Sequence, residues 1–433
     1  MAILTNRRAL VATATALVLA TGLAIPAKAE DVTLTYRIGS TPEVVATAER
    51  MIKDFEAANP GIKIQTENGP GGAEGDNIVK TRLATGEMTD IFIYNTGSLF
   101  QAINPTQTLV DVTDEPWQAN VLQSFKATVT GTDGKLYGAP IGTAMGGGIL
   151  YNIPIYKKLG LSVPKTWAEF MANNEKIKAA GIVPVIQSFG TTWTSQLFVL
   201  GDYFNVQAAV PNFAADYTAG KAKYATTPAA MAGFKHGEDV FKAGYLNDDF
   251  AAATFEEAMT KLAKGEGAHY PMLTFAVSTV QTQNPENVND IGFFAIPGDD
   301  ASKNGLTVWE PGAIYIAKTT KHPEEAKKFL AFAASVAGCE SQTAAVGPTG
   351  PYVVKGCTLP ASVPPVVADL LPYFQSDATS APALEFVSPI KGPNLEQITV
   401  EVGSGIRSAA DGAALYDQDV RKQAMQLGLP GWN

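Results

Sequence analysis

The three histidines, His236, His269 and His322, lie far apart, and none falls in an H-E-x-x-H or similar arrangement, so no metal site is expected. No G-x-S-x-G nucleophile elbow occurs. Gly134-Lys135 and Gly220-Lys221 are each followed by a residue other than Ser or Thr, which removes the phosphate-binding loop. The glycines of GPGGAEG (69–75) miss the dinucleotide spacing and read as a surface loop. No cofactor is expected. Acidic residues are plentiful, so a glycosidase-type carboxylate pair stays open, although no spacing singles one out. What stands out instead is aromatic rings beside polar side chains in expected loops. Trp193 sits in SFGTTWTSQ, Phe275 in AHYPMLTFA and Trp309 in LTVWEPG. Sugars present apolar C–H faces together with hydroxyls. A site for them needs aromatic platforms next to groups that both donate and accept hydrogen bonds. Core packing competes for every tryptophan. Trp167, at a helix start, is read as core and Trp432 as a pin for the tail. Trp193 and Trp309, flanked by Thr192, Thr194, Glu310 and Gly312, are read as ligand contacts.

Those loops need elements to hold them. VTLTYRIG alternates apolar and polar residues as a half-buried strand does. Val44, Val45, Ala48, Met51, Ile52 and Phe55 then recur on one helical face, and Asn59-Pro60-Gly61 stops that helix. The strand IKIQT, a helix over 77–84 and the strand DIFIYN follow. This βαβα order predicts an α/β domain with a largely parallel sheet. A second α/β region opens after Gly148. It has a helix from Thr166 (its N-cap) to a stop at Gly181, a short strand at Pro184-Val185-Ile186, and mainly helical pattern over 234–263. Strands are expected over 291–297 and 312–317, and a helix at HPEEAKKFLAFAAS. A Pro-rich loop with at most a short helix covers 358–372, and a helical tail runs from about Leu395 to Leu427.

Arg7-Arg8, an uncharged run from Ala9 to Leu23 and Ala27-Lys28-Ala29 follow the order of a secretory signal peptide, cleaved after Ala29. The run is too short for a membrane anchor. The arginine pair also permits twin-arginine export, but the rest of that signal is poorly matched, which favours ordinary secretion. No cysteine follows the apolar run, so no lipid anchor is expected. The remaining chain, on the order of 400 residues, is long enough for two domains. The formal charge of the full sequence, −10, argues against nucleic acid and anionic membrane surfaces. Cys339 and Cys357 are the only cysteines; in an oxidising compartment a disulfide between them is the simplest reading, with two buried thiols as the other.

Taken in order, several stretches resemble the family 1 extracellular solute-binding proteins, carbohydrate receptors of ABC importers, with maltose-binding protein as a distant relative. They are FEAANPGIKI (55–64), TDIFIYN (89–95), DGKLYGAPI…ILYN (133–152), PKTWAEF…AAGIVPV (164–185), KGEGAHYPM (264–272) and HPEEAKKFLAF (322–332). They cover most of residues 31–350, and the match weakens beyond.

The resemblance implies an α/β, two-lobe periplasmic-binding-protein fold of type II, each lobe a sheet flanked by helices, joined by a multi-strand hinge. Residues 31–140 and about 312–347 would form lobe 1; 141–311 and about 348–433 would form lobe 2. The glycine-rich run 142–148 would be the first crossover and border the cleft. Ligand contacts are expected from Glu43, Asn95, Thr96, Thr143, Trp193, Phe275, Trp309, Glu310 and Gly312. Trp193, Phe275 and Trp309 would be the platforms. Relatives commonly carry A-M-x-x-G-S-W where this chain has A-H-Y-P-M-L-T-F, so Phe275 offers a smaller face than the tryptophan expected there. The implied role is that of a monomeric periplasmic receptor and not an enzyme. It would capture a sugar, an oligosaccharide by this reading, and hand it unaltered to ABC permease subunits in the inner membrane. The rivals are a secreted glycoside hydrolase and a receptor for another solute, such as a polyamine or ferric ion. Iron would want clustered tyrosines, and the sequence holds no Tyr-Tyr pair.

Overall fold

The computed structural model describes residues 31–376 and 378–432; the expected signal peptide lies outside them. Among the described residues, eleven strands form two sheets. They are β1 (Val32–Gly39), β2 (Ile62–Gly69), β3 (Ile91–Tyr94), β4 (Gly138–Ile141), β5 (Met145–Asn152), β6 (Val183–Val185), β7 (Gly267–Leu273), β8 (Ile291–Ala295), β9 (Leu306–Trp309), β10 (Gly312–Ile316) and β11 (Ser380–Pro382). The first sheet runs β2-β1-β3-β10-β4, and the second runs β11-β9-β5-β7-β6 with β8 also paired to β5. β1 is parallel to both β2 and β3, whereas β10 enters antiparallel between β3 and β4.

The alternation in VTLTYRIG buries Leu34, Tyr36 and Ile38. Helix α1 (Pro42–Ala58) buries Ala48, Met51 and Phe55, with Pro42 in its first turn. Helix α2 (Gly72–Thr85) begins earlier than the apolar pattern suggests, because the GPGGAEG segment supplies its first turn. Helix α3 (Ser98–Gln101) follows β3 directly. The helix Trp167–Ala179 opens on a reciprocal capping box between Thr166 and Glu169. The helical stretch read over 234–263 is two helices, Pro228–Lys242 and Phe255–Ala263, and the tail is likewise Leu395–Gly403 and Ala409–Gln426. Each break carries a left-handed glycine, Gly244 and Gly405, which ends a helix without a Cβ penalty.

Aromatic and aliphatic side chains of the first sheet and its helices make one core, around Tyr36, Phe55, Phe92 and Phe329. The second half carries several, around Tyr217 and Tyr416, around Leu150 and Tyr270, and around Trp167 and Phe294. The chain passes between the sheets three times. Residues 142–144 join β4 to β5, residues 310–311 join β9 to β10, and residues 347–364 lead from the helix Val336–Val346, packed on α1, to the helix Pro365–Leu370, packed on β8. One core in the first half and several in the second, joined by three crossings, make a two-lobe α/β fold. Cys339 and Cys357 form a disulfide with Cα atoms 6.1 Å apart, at the start of the third crossing.

Candidate functional site

A cleft of about 640 Å³ lies where the C-terminal ends of β1 and β3 face the second sheet. Open α/β sheets characteristically bind ligands outside the carboxyl ends of their strands, where the chain must turn and backbone groups are free. From the first lobe the cleft takes the β1–α1 turn (Gly39 to Glu43), the start of α2 (Pro70 to Asp76) and the residues after β3 (Asn95, Thr96, Ser98). The second lobe contributes Met145, Trp193, Gln196, Phe255, Phe275, Trp309 and a tail segment around Glu385, Phe386 and 391–396.

One wall is aromatic. The Trp193 ring centroid lies 5.3 Å from Phe255 and 6.1 Å from Phe275, and those two phenylalanines are 6.1 Å apart. Trp193 and Phe275 are half-buried, so each keeps a face toward the cleft. Trp309 is different, at 6% exposure. Its indole N–H donates to the Glu385 carboxylate, and its ring packs where a Cβ on Gly147 would otherwise sit.

Polar groups face this wall. Glu43 is 5% exposed and its Oε2 has no partner within the chain; Oε2 of Glu310, Oγ of Ser98 and Oε1 of Gln196 are likewise unpaired. A buried polar atom left unpaired costs about 1–3 kcal/mol, and these four residues all line the one cleft. The Thr96 hydroxyl donates to the Pro311 carbonyl at 3.2 Å, tying the loop after β3 to the second crossing. Burial pushes the Glu310 carboxyl up from its ordinary value. Asp76 is raised for the same reason, against the opposing pull of Lys80 and Lys391. Lys391 pairs with Glu385 at 3.3 Å, both side chains largely buried. Arg37 is buried, its pKa lowered by that burial, and it donates to the Pro70 carbonyl at 3.2 Å. The Thr192 hydroxyl donates to Glu396 at 2.8 Å. Among the described residues no group of three or more His, Cys, Asp or Glu side chains is placed to hold a metal ion.

The structure thus brings Glu43, Asn95, Thr96, Trp193, Phe275, Trp309, Glu310 and Gly312 to one cleft. Thr143 is outside it: its buried hydroxyl is hydrogen-bonded to that of Thr349 at 2.8 Å, on the side of the hinge facing the disulfide loop. Of the run 142–148 only Met145 lines the cleft. Its glycines make room instead. Gly148 lets the Phe293 ring approach, and Gly142 turns the chain at φ 102°. GPGGAEG is not a plain surface loop, since Pro70 to Ala73 and Gly75 are cleft wall. Sequence reasoning missed Arg37, Asp76, Phe255, Glu385, Lys391 and Glu396. The only local signal was the clustering of Glu385, Lys391 and Glu396 in a tail otherwise without motif.

Two contacts bring the lobes together across the cleft. Gly97, at φ 68°, lies against the Glu385 carbonyl and the Phe386 ring, where a Cβ would come within 2.6 Å of Phe386 Cδ1. Gly72, at the start of α2, sits with its Cβ position 3.4 Å from the Glu396 carboxylate and 3.6 Å from the Trp193 ring.

Comparison with known proteins places this geometry. The chain is 28% identical over 338 residues to the multiple sugar-binding protein of Streptococcus mutans serotype c, covering 76% of this chain and 77% of that one. Among solved structures it resembles a chitin oligosaccharide binding protein (TM-score 0.79, 22% identity, 91% of this chain and 99% of that one). It also resembles the solute-binding protein RafE in complex with raffinose (TM-score 0.75, 23% identity, 90% and 99%). The family model described as bacterial extracellular solute-binding protein matches residues 39–338, the greater part of the sequence, and the chain belongs to that family.

Proposed function

We propose that the protein is a periplasmic receptor that captures a sugar, in the oligosaccharide size range, between its lobes and presents it to an ABC permease. The observation that carries this reading is that the half-buried rings of Trp193 and Phe275, backed by the buried Phe255, line one cleft with Glu43 and Glu310, each of which has a carboxylate oxygen with no partner within the chain. Ring faces take the C–H surfaces of a pyranose, and the oxygens take its hydroxyl protons. A cleft of about 640 Å³ suits a ligand larger than one sugar ring. The named ligands of the relatives, chitin oligosaccharide and raffinose, support the same class. The ligand leaves chemically unaltered.

Residues 31–140 with about 312–347 form one moving body, and 141–311 with about 348–433 the other. The lobes close by hinge motion over the ligand. Export removes residues 1–29, and the mature protein works as a soluble monomer.

A thermal-shift screen of the purified protein against mono-, di-, tri- and tetrasaccharides, spermidine and ferric citrate tests the reading. A ligand bound only by the folded state raises the melting temperature by mass action. A neutral oligosaccharide is expected to raise it, with the polyamine and iron inert. A shift from spermidine or iron alone would overturn the sugar assignment.

A further inference from the structure

The hinge carries a device that ligand capture does not require. All three residues of the first crossing are tethered to the loop that the disulfide closes. The Gly142 amide donates to Gln342 Oε1 at 2.7 Å, the Thr143 hydroxyl meets that of Thr349 at 2.8 Å, and the Ala144 amide donates to the Pro351 carbonyl at 2.8 Å. Gly350 fits tightly enough that a Cβ there would lie 3.1 Å from Thr143 Oγ1.

The far end of the same loop is fixed to the first lobe. Val354 bridges to Val121, the Leu122 amide donates to the Val353 carbonyl at 2.8 Å, and the Lys355 amide donates to the Asn120 carbonyl at 2.7 Å. At its start Gly347 rests against the Gln281 side chain of the second half. The bridge joins Cys339, on the helix that also carries Gln342, to Cys357, immediately after these anchors. It therefore closes a rigid collar around the point where the first crossing must rotate.

We propose that the Cys339–Cys357 disulfide sets the hinge: it holds residues 342–351 against Gly142, Thr143 and Ala144, and its reduction frees that crossing and shifts the lobes toward an open state. Cys357 is partly exposed whereas Cys339 is buried, so a dithiol reductant reaches Cys357 first. Its thiolate attacks Cys357 Sγ and Cys339 leaves as a thiolate. The second reductant thiol then displaces Cys357, leaving two protein thiols and the oxidised reductant. The geometry is independent of which solute the cleft takes.

Hydrogen exchange of the purified protein, oxidised and after treatment with dithiothreitol, tests this without any ligand. Reduction is expected to speed exchange at the Gly142 and Ala144 amides roughly 2- to 10-fold, the protection lost with one hydrogen bond each. Amides of β1 and β3 should keep their protection, and the radius of gyration by small-angle scattering should rise. The double substitution Gln342→Leu and Thr349→Val, with the bridge intact, is expected to speed the Gly142 amide while leaving Cys339 and Cys357 oxidised. Unchanged exchange at both hinge amides after reduction, or loss of protection throughout the chain, would overturn the proposal. In either case the bridge would be a stability cross-link alone.

Discussion

Trp193 and Trp309 look alike in sequence, each in a loop beside threonine or glutamate, yet they carry different loads. Trp193 is half-buried against two phenylalanines, at the edge of the core around Tyr270. Trp193→Ala is expected to weaken sugar binding by about 2 kcal/mol, as an aromatic anchor does, with little change in the unliganded melting point. Calorimetric titration beside a thermal melt reads both. Trp309 is cleft wall and core at once. Trp309→Ala removes the Glu385 hydrogen bond and leaves space above Gly147, so it is expected to cost about 3 kcal/mol or more of folding stability, measured by urea unfolding. A stable Trp309→Ala protein would mean the indole is not packed as described. The residues legible in the sequence were those whose local setting mixes ring and polar atoms. Arg37, Asp76 and Glu385 were not, because nothing near them in the chain announces a cleft that only the folded lobes assemble. Thr143 was expected from the resemblance alone, and the direction its hydroxyl faces is decided by Thr349, 206 residues away.

At the scale of elements, β1–α1–β2 and the helix opening at Thr166 follow directly from alternation, helical spacing, a proline stop and a capping box. The two places where one helical stretch proved to be two share a cause. Periodicity continues through 243–254 and 404–408, but a left-handed glycine breaks the backbone, and the intervening Asn247 is spent bridging to the Gln187 amide and carbonyl. The glycines of β5 were visible as an anomaly, but their partner rings, Trp309 and Phe293, come from distant strands. The contact between α3 and the Glu385–Phe386 segment carries a prediction. Gly97→Val adds side-chain volume against Phe386 at a positive φ, so it should cost about 1–2 kcal/mol in the unliganded protein. It should also hold the lobes apart, seen as a larger radius of gyration in saturating ligand than the parent shows. An unchanged radius would mean that Gly97 does not meet Phe386 on closure.

Across the whole molecule, three crossings join a half with one core to a half with several, so the cores of the two halves are built separately on either side of the cleft. Three of its fully buried titratable groups, His236, His269 and Asp202, act in opposite directions on its response to pH. His236, stacked on Trp167 at 3.7 Å, and His269, bonded to Tyr156, Asn174 and Pro184, are both lowered by burial to about 3. Their stabilisation is complete above the unfolded pKa of 6.5 and is lost as pH falls toward 3. Asp202 is raised by burial to about 8, so its stabilisation is complete below 3.8 and is lost as pH rises toward 8. These three groups together place maximal stability near pH 6.5. Unfolding measured from pH 4 to 9 checks this, and Asp202→Asn is expected to flatten the alkaline limb. The central claim is capture of an intact sugar between the lobes. Its most direct test is calorimetric titration with a panel of neutral oligosaccharides including raffinose and chitotriose, followed by chromatography of the recovered ligand. Saturable binding of one of them at one site per chain, abolished or greatly weakened in Trp193→Ala, with the sugar recovered whole, is the predicted result. Recovery of shortened sugar, or heat from none of the panel, would contradict it.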